Sequence, residues 1–384
     1  MTNISASTTN DNIAVRIVQW LLVLFLIYML ITAVGMIGSG FKGATKGQAM
    51  ELFAFATNPF MGLIVGVIAT AMIQSSSTVT SIIVGLVAGG LPVEMAVPMV
   101  MGANIGTTIT NTIVSLGHIG KKKEFRRAFA AATVHDFFNV MAVAIFLPIE
   151  IIFHPLQKVA GFFAAHLVGG ENLSVKGLNF IKPMTKPVIT EFRNLAELIS
   201  QPGAHVILIV FGIFVIFFAI IFIGKLLKKL MVGRAKAIMH ASVGRGPISG
   251  ITSGTIVTVL VQSSSTTTSL MVPLAGAGIF KLKQIYPFTL GANIGTTITA
   301  LLAATAISGP AAILALQIAL VHFIYNTTAV ALIYSIKFLR KIPLRGALWM
   351  ARVASEKKIY ALLYMIGVFF VIPGLMVFLY QLMA

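Results

Sequence analysis

The chain has 384 residues, of which 58% are hydrophobic and 10% are charged, and its formal net charge is +18. About a quarter of the residues in a typical soluble domain are charged, so this composition excludes an ordinary water-soluble protein and favours one membrane domain with short loops. The sequence contains no cysteine, which excludes disulfide bonds and thiolate ligands to a metal.

Several apolar runs are long enough to cross a bilayer, which takes roughly 18 or more residues. The first follows the polar residues 1–12 and is too long for the core of a signal peptide, so we interpret it as a retained span. The predicted spans, in chain order, are residues 17–37, 93–116, 128–152, 204–227, 284–307, 311–338 and 360–382.

The positive charge is concentrated in three stretches, Lys121–Arg127, Lys225–Arg245 and Lys337–Lys358. Short basic segments between apolar runs are typical of cytoplasmic loops, so the charge indicates membrane orientation and does not favour nucleic-acid binding. With these stretches inside, residues 156–203 become an external loop and the last span leaves the C-terminus outside.

The sequence contains an internal duplication. GANIGTTIT occurs at residues 102–110 and again at 291–299, and QSSST occurs at 74–78 and at 262–266. A third match follows in the same order, since Val-His with an asparagine four residues after the histidine recurs (Val134, His135 and Asn139, then Val321, His322 and Asn326).

The predicted topology gives the two copies opposite orientations. The QSSST segment at 52–91 would enter from outside and the one at 247–279 from inside, as re-entrant helical hairpins of an inverted repeat. Two full spans in place of each hairpin would preserve this relation. The predicted fold is an all-α polytopic membrane protein. It divides into repeat unit 1 (15–155), the external loop (156–203), repeat unit 2 (204–340), and a cytoplasmic basic loop with a final helix (341–384).

Each QSSS motif is a candidate oxyanion site. Serine hydroxyls can donate to an anion and also accept a cation, and a helix starting at the motif would direct its free amides and positive dipole end at an anion. The motif segments contain no Lys or Arg, so neutral donors and co-bound sodium would balance the anion. The candidate residues are Gln74, Ser75, Ser76, Ser77, Gln262, Ser263, Ser264 and Ser265.

The GANIGTT elements are candidate sodium sites. Two glycines flanking an asparagine predict a locally opened helix whose carbonyls and side chains face a cavity. Close glycine-mediated helix packing is the alternative. The candidate sodium ligands are Thr78, Asn104, Thr107, Thr108, Thr266, Asn293, Thr296 and Thr297.

Asp136 is the one carboxylate that falls well inside a predicted span. An intramembrane acid is a functional candidate, here for sodium coordination, although a structural hydrogen bond is the competing interpretation. The second copy has Phe323 at this position, so such a site would be asymmetric. His135 and His322 are either proton-sensitive or satisfied interior histidines.

The paired QSSS and GANIGTT motifs, together with TNTIV, EFRRAF and ATVHDFFN in the first copy, resemble the type II sodium-dependent phosphate cotransporters over roughly residues 15–382. The resemblance implies a multi-pass protein of the bacterial plasma membrane that couples sodium to the uptake of inorganic phosphate. It places phosphate between the two QSSS regions with sodium beside it. Lys121 stands where the electrogenic animal members carry an aspartate, and the external loop is short and lacks cysteine.

The predicted function is therefore a secondary active symporter working by alternating access, with no cofactor besides the co-transported sodium. A sodium-coupled transporter of another oxyanion or a dicarboxylate is the nearest alternative, and a passive anion channel is another. The sequence contains neither HExxH nor GxSxG, so an enzyme is not favoured.

Overall fold

The computed structural model describes residues 13–45, 58–169, 181–199 and 203–383, which are helical and contain no β-strand. The start of the predicted first hairpin, residues 52–57, lies outside these ranges. The first half contains α1 (Ile13–Thr45), α2 (Pro59–Ile73), α3 (Ser76–Gly89), α4 (Val93–Gly106), α5 (Ile109–Leu116), α6 (Lys122–Phe153), α7 (Pro155–Gly169) and α8 (Ile181–Ala196).

The second half repeats the short helix pair and then ends in long helices. It contains α9 (Gly203–Ser242), α10 (Pro247–Val261), α11 (Ser264–Ser269), α12 (Met271–Ala277), α13 (Leu282–Ala304), α14 (Pro310–Ser335) and α15 (Lys337–Glu356). The chain finishes with α16 (Ile359–Ile366), a π-helical turn at Gly367–Val371, and α17 (Ile372–Met383).

Six helical segments of the described chain are long and apolar enough to cross a membrane, which confirms an all-α polytopic membrane protein. They are Val15–Ala44, Lys122–Phe153, Gly203–Leu227, Leu282–Ala304, Pro310–Ser335 and Ile359–Leu382. The predicted span 93–116 is not a single helix, because a turn at Thr107 and Thr108 separates α4 from α5.

Two segments interpreted as loops are helical where the structure describes them. Residues 156–203 form most of α7, which packs against α14, and α8, which packs against α1. The basic stretch after residue 337 forms α15, which packs against α6 through small buried residues such as Ala347 and Ala351. The lysines and arginines of α15 recur on one side of an amphipathic helix, whereas the sequence analysis assigned this basic stretch to a loop.

The first helix of each hairpin crosses the helix that carries GANIG with the two backbones nearly in contact. A Cβ atom added at Gly102 would overlap the carbonyl oxygen of Leu63, and one added at Gly291 would overlap the carbonyl oxygen of Ile251. These two glycines therefore serve close helix packing, the alternative interpretation of the GANIGTT elements. They let α4 pack on α2 and α13 pack on α10. Both crossings fix the positions of the QSSST turns.

Candidate functional site

Each QSSST motif sits at the turn between two short helices. Gln74 ends α2 with φ 56° and ψ 27°, and Gln262 ends α10 with φ 54° and ψ 28°. This left-handed conformation is uncommon for a residue other than glycine, and it occurs here at equivalent positions of both copies. The matched backbone shows that the two motifs form the same turn.

The first serine of each motif caps the following helix. Ser75 Oγ accepts hydrogen bonds from the backbone N–H of Thr78 at 3.2 Å and from its hydroxyl at 2.8 Å. Ser263 Oγ likewise accepts from the N–H of Thr266 at 3.2 Å. The helices differ in length, since α3 has 14 residues and α11 has six, so the predicted pair of facing helix dipoles is unequal.

The two motifs line one cavity of about 290 Å³. Its polar wall contains all eight candidate oxyanion contacts, together with Thr266, and its other wall is a strip of α9. This volume lies at the lower end of the range for small-molecule sites, which suits a small ion. The residues of α9 that line the cavity are Phe217, Ile220, Ile221, Gly224 and Lys225.

The candidate asparagines lie in a separate buried network that joins the two copies. Asn293 of the second copy donates through Nδ2 to Asn139 Oδ1 of the first copy at 2.8 Å. The Oδ1 atom of Asn293 is in short contact with His135 Nε2. An amide oxygen only accepts, so His135 carries its proton on Nε2.

The reciprocal set of hydrogen bonds is present in the other direction. Asn104 of the first copy donates through Nδ2 to Asn326 Oδ1 of the second copy at 2.9 Å, and Asn104 Oδ1 is 3.2 Å from His322 Nε2. The repeated Val-His and asparagine motif therefore supplies the partners of the GANIG asparagine in the opposite copy. Neither Asn104 nor Asn293 lines the QSSS cavity.

The four candidate threonines of the GANIGTT elements are buried, and each donates to a backbone carbonyl three or four residues earlier. The pairs are Thr107 with Ala103, Thr108 with Ile105, Thr296 with Ala292, and Thr297 with Ile294. The predicted helix opening occurs in the first copy, at Thr107 and Thr108. It is wrong for the second copy, where α13 runs without a break from Leu282 to Ala304.

Asp136 lies on α6, is 1% exposed, and accepts a hydrogen bond from the hydroxyl of Tyr364 at 2.8 Å. Its Oδ1 atom has no hydrogen-bond partner among the described residues. Asp136 does not line the QSSS cavity, and neither does Thr78, whose hydroxyl bonds to Ser75. The structure thus gives the Asp136 carboxyl a hydrogen-bond partner in Tyr364, and the side chain of Thr108 also interacts with it.

A family profile described as Na+/Pi-cotransporter matches residues 29–168 and 213–342 of this chain. The chain belongs to the Na+/Pi-cotransporter family. Each matched segment contains one QSSST and one GANIGTT element, so the Na+/Pi-cotransporter profile covers both copies of the duplication.

Mammalian relatives in this Na+/Pi-cotransporter family align with nearly the whole chain. Sodium-dependent phosphate transport protein 2B of Homo sapiens is 32% identical over 441 residues, covering 92% of this chain and 64% of the human protein. Sodium-dependent phosphate transport protein 2A of Rattus norvegicus is 32% identical over 423 residues, covering 92% of this chain and 66% of the rat protein. No solved structure matches the chain.

The sequence analysis of this Na+/Pi-cotransporter family member did not predict a positively charged side chain in the cavity lining. Lys225 lines the cavity with both QSSS motifs, whereas the sequence placed it at the start of an inner basic loop. The loop does not exist, because α9 continues to Ser242. The signal was present in the unbroken helical composition from residue 204 onward, since nothing between Phe222 and Leu230 stops a helix.

The two motif glutamines are held differently. Gln262 accepts from the hydroxyl of Thr299 at 3.0 Å and donates to the carbonyl of Val259 at 2.7 Å. The equivalent threonine of the first copy is Thr110, whose buried hydroxyl has no partner among the described residues. Gln74 is exposed in the cavity, so equivalent side chains occupy two different states in one structure.

Proposed function

We propose that this protein is a secondary active symporter that couples inward sodium flow to the uptake of inorganic phosphate across the lipid bilayer by alternating access. The observation that carries the proposal is the single cavity lined by the QSSS motifs of both copies. The names of the human and rat relatives, both sodium-dependent phosphate transport proteins, support the same pair of solutes.

The chemistry of the cavity suits a tetrahedral oxyanion. Ser76 and Ser77 lie in the first turn of α3, and Ser264 and Ser265 lie in the first turn of α11, where backbone N–H groups have no partner within the helix. Together with the hydroxyls and the glutamine amides, these groups provide many neutral donors around a small volume. The small volume of the cavity, about 290 Å³, favours a compact anion over an extended dicarboxylate.

Sodium binding is proposed at the oxygen-rich groups of the GANIGTT elements, at Thr266 and at Asp136. A threonine hydroxyl that donates to a backbone carbonyl still has lone pairs for a cation, which applies to Thr107, Thr108, Thr296 and Thr297. Thr266 lies in the cavity wall itself. Asp136 is proposed as a further sodium ligand, supported by its interaction with Thr108, another candidate ligand.

Phosphate and sodium would stabilise each other because each reduces the electrostatic cost of the other in a buried site. This mutual dependence is the physical basis of the proposed symport. The proposal involves no covalent step.

Uptake of radiolabelled phosphate into proteoliposomes tests the proposal. We expect concentrative uptake with a sodium gradient, none when choline replaces sodium, and competition by arsenate. Gln74→Ala and Ser263→Ala should reduce sodium-driven uptake to background, because each removes a group from one half of the cavity. Thr328→Ala is the matched control, since this hydroxyl is exposed and lies outside the cavity.

The alternatives give different results in the same assay. Wild-type uptake by both cavity variants would show that the site lies elsewhere. Equilibration without accumulation would indicate a passive anion channel. Sodium-driven uptake of a dicarboxylate that phosphate does not inhibit would indicate a different substrate.

A further inference from the structure

Lys225 is the one charged residue among those that line the QSSS cavity. It lies on α9, opposite the two serine-rich turns, at the end of an apolar strip that contains Phe217 and Ile221. The cavity therefore has a wall of neutral donors on one side and, on the other, an apolar wall that ends at a single lysine.

No acidic residue of this chain is available near Lys225 in its own copy, because the sequence contains no Asp or Glu between Glu197 and Glu356. None of the described ion pairs includes Lys225. A cation that has no counter-ion among the described residues, on a cavity rich in hydrogen-bond donors, is complementary to an anionic ligand.

Lys225 lines the cavity beside Gly224, and its ammonium group also contacts an aromatic ring that lies outside the cavity lining. Its Nζ atom lies 4.9 Å from the centre of the Phe222 ring, one turn earlier on α9, which is within the range of a cation–π contact. The preceding residue, Gly224, is the point of α9 close to the second hairpin, since a Cβ there would lie 3.9 Å from the carbonyl oxygen of Val261. The ammonium group is thus carried on a helix that passes close to the Gln262 turn.

We propose that Lys225 is the cationic contact of the transported phosphate, binding the anion from the α9 side while the two QSSS turns bind it from the other. This assignment rests on the proposed function and extends it. A phosphate held by hydroxyls and amides alone relies on sodium for all of its charge balance, whereas Lys225 supplies part of that balance from the protein. α9 and the two hairpins are separate elements, so phosphate can contact Lys225 and the QSSS turns together only when α9 lies close to the hairpins.

Direct phosphate binding to the purified protein tests the role of Lys225. Binding of radiolabelled inorganic phosphate is measured in detergent at fixed sodium concentration, while choline chloride varies the ionic strength. Lys225→Gln should raise the Kd at least about fivefold at low ionic strength, because a charge pair at contact distance is worth about that much even in water. It should also flatten the dependence of Kd on choline chloride.

Three matched variants make the test specific. Lys225→Arg keeps the positive charge and should stay within about threefold of the wild-type Kd. Phe222→Leu removes the ring that holds the ammonium group and should raise the Kd about twofold. Lys229→Gln removes an exposed charge one turn further along α9, outside the cavity lining, and should leave the Kd unchanged.

The outcomes separate this inference from the proposed function. Sodium-driven uptake by the wild type decides the function. If the wild type transports phosphate and Lys225→Gln binds it with wild-type Kd and salt dependence, the assignment of Lys225 is wrong. An equal loss of phosphate affinity in Lys225→Gln and Lys225→Arg, with both proteins eluting as folded monodisperse species, would also overturn it. The positive charge of residue 225 would then not account for phosphate binding.

Discussion

The residues with the most constrained contacts are the asparagines of the two GANIG elements. Each bonds a histidine and an asparagine of the opposite copy, so equivalent residues exchange equivalent hydrogen bonds across the interface between the copies. Asn104 and Asn293 are 3% and 4% exposed, so water does not replace a lost partner. A buried network of this kind is stabilising when complete and costly when one member is removed.

Replacing Asn293 with leucine tests this network. The change leaves His135 Nε2 and Asn139 Oδ1 without a partner, and each unsatisfied buried group costs roughly 1–3 kcal/mol. We expect a clear fall in the apparent Tm of the detergent-solubilised protein. Asn104→Leu should cost a similar amount, and the exposed Thr328→Val should cost little. A Tm for Asn293→Leu equal to that of Thr328→Val would contradict the network.

Single residues show what sequence reasoning could and could not reach. The eight Gln and Ser candidates could be placed at one cavity because the duplication repeats them in register. His135 and Asn139 were visible as a repeated motif, but their bonds to Asn293 join residues more than 150 positions apart. Local spacing carries no information about such a pairing, so the candidate sodium ligands could not be divided into a cavity group and an interface group.

The sequence predicts the long helices but not where a helix is interrupted. Long apolar runs predict the six spans, because length and composition decide them. The break between α4 and α5 could not be predicted, since the same nonapeptide GANIGTTIT is unbroken in α13. Identical local sequences with different backbones show that the surroundings choose the conformation. The two copies share one feature: α4 crosses α2 and α13 crosses α10 at a glycine that permits close backbone contact.

Adding a methyl group at a crossing should separate the two helices. Gly102→Ala and Gly291→Ala each place a Cβ on a backbone carbonyl that cannot move aside, so we expect little folded protein from either variant. Gly374→Ala is the matched control, because nothing lies within 4 Å of the added Cβ and alanine favours a helix by about 1 kcal/mol over glycine. Fluorescence-detected size-exclusion chromatography of the three variants measures the difference. Equal monodisperse yields would contradict a packing role for these glycines.

At the scale of the whole molecule, the two copies are alike in sequence motif and unlike in state. In the second copy Thr299 bonds Gln262 and the GANIG helix is continuous. In the first copy Thr110 is unpartnered, Gln74 is exposed, and the helix is broken. Under the proposed alternating access, each copy would adopt the local state that the other copy has in this structure. In the opposite conformation Gln74 would bond Thr110, and Gln262 would be released.

Thiol labelling can measure this exchange because the chain has no cysteine, so Ile221→Cys introduces a single thiol in the cavity wall. In that background Thr299→Val removes a hydrogen bond made in the present conformation. Such a bond is worth about 0.5–1.5 kcal/mol, so the ratio of the present to the opposite conformation should fall about 2- to 10-fold. The initial labelling rate by a maleimide should fall with the population of the present conformation. Thr110→Val would remove the bond expected only in the opposite conformation and should leave the rate equal or higher. A shift of both variants in the same direction would show that the two threonine–glutamine bonds are not alternatives.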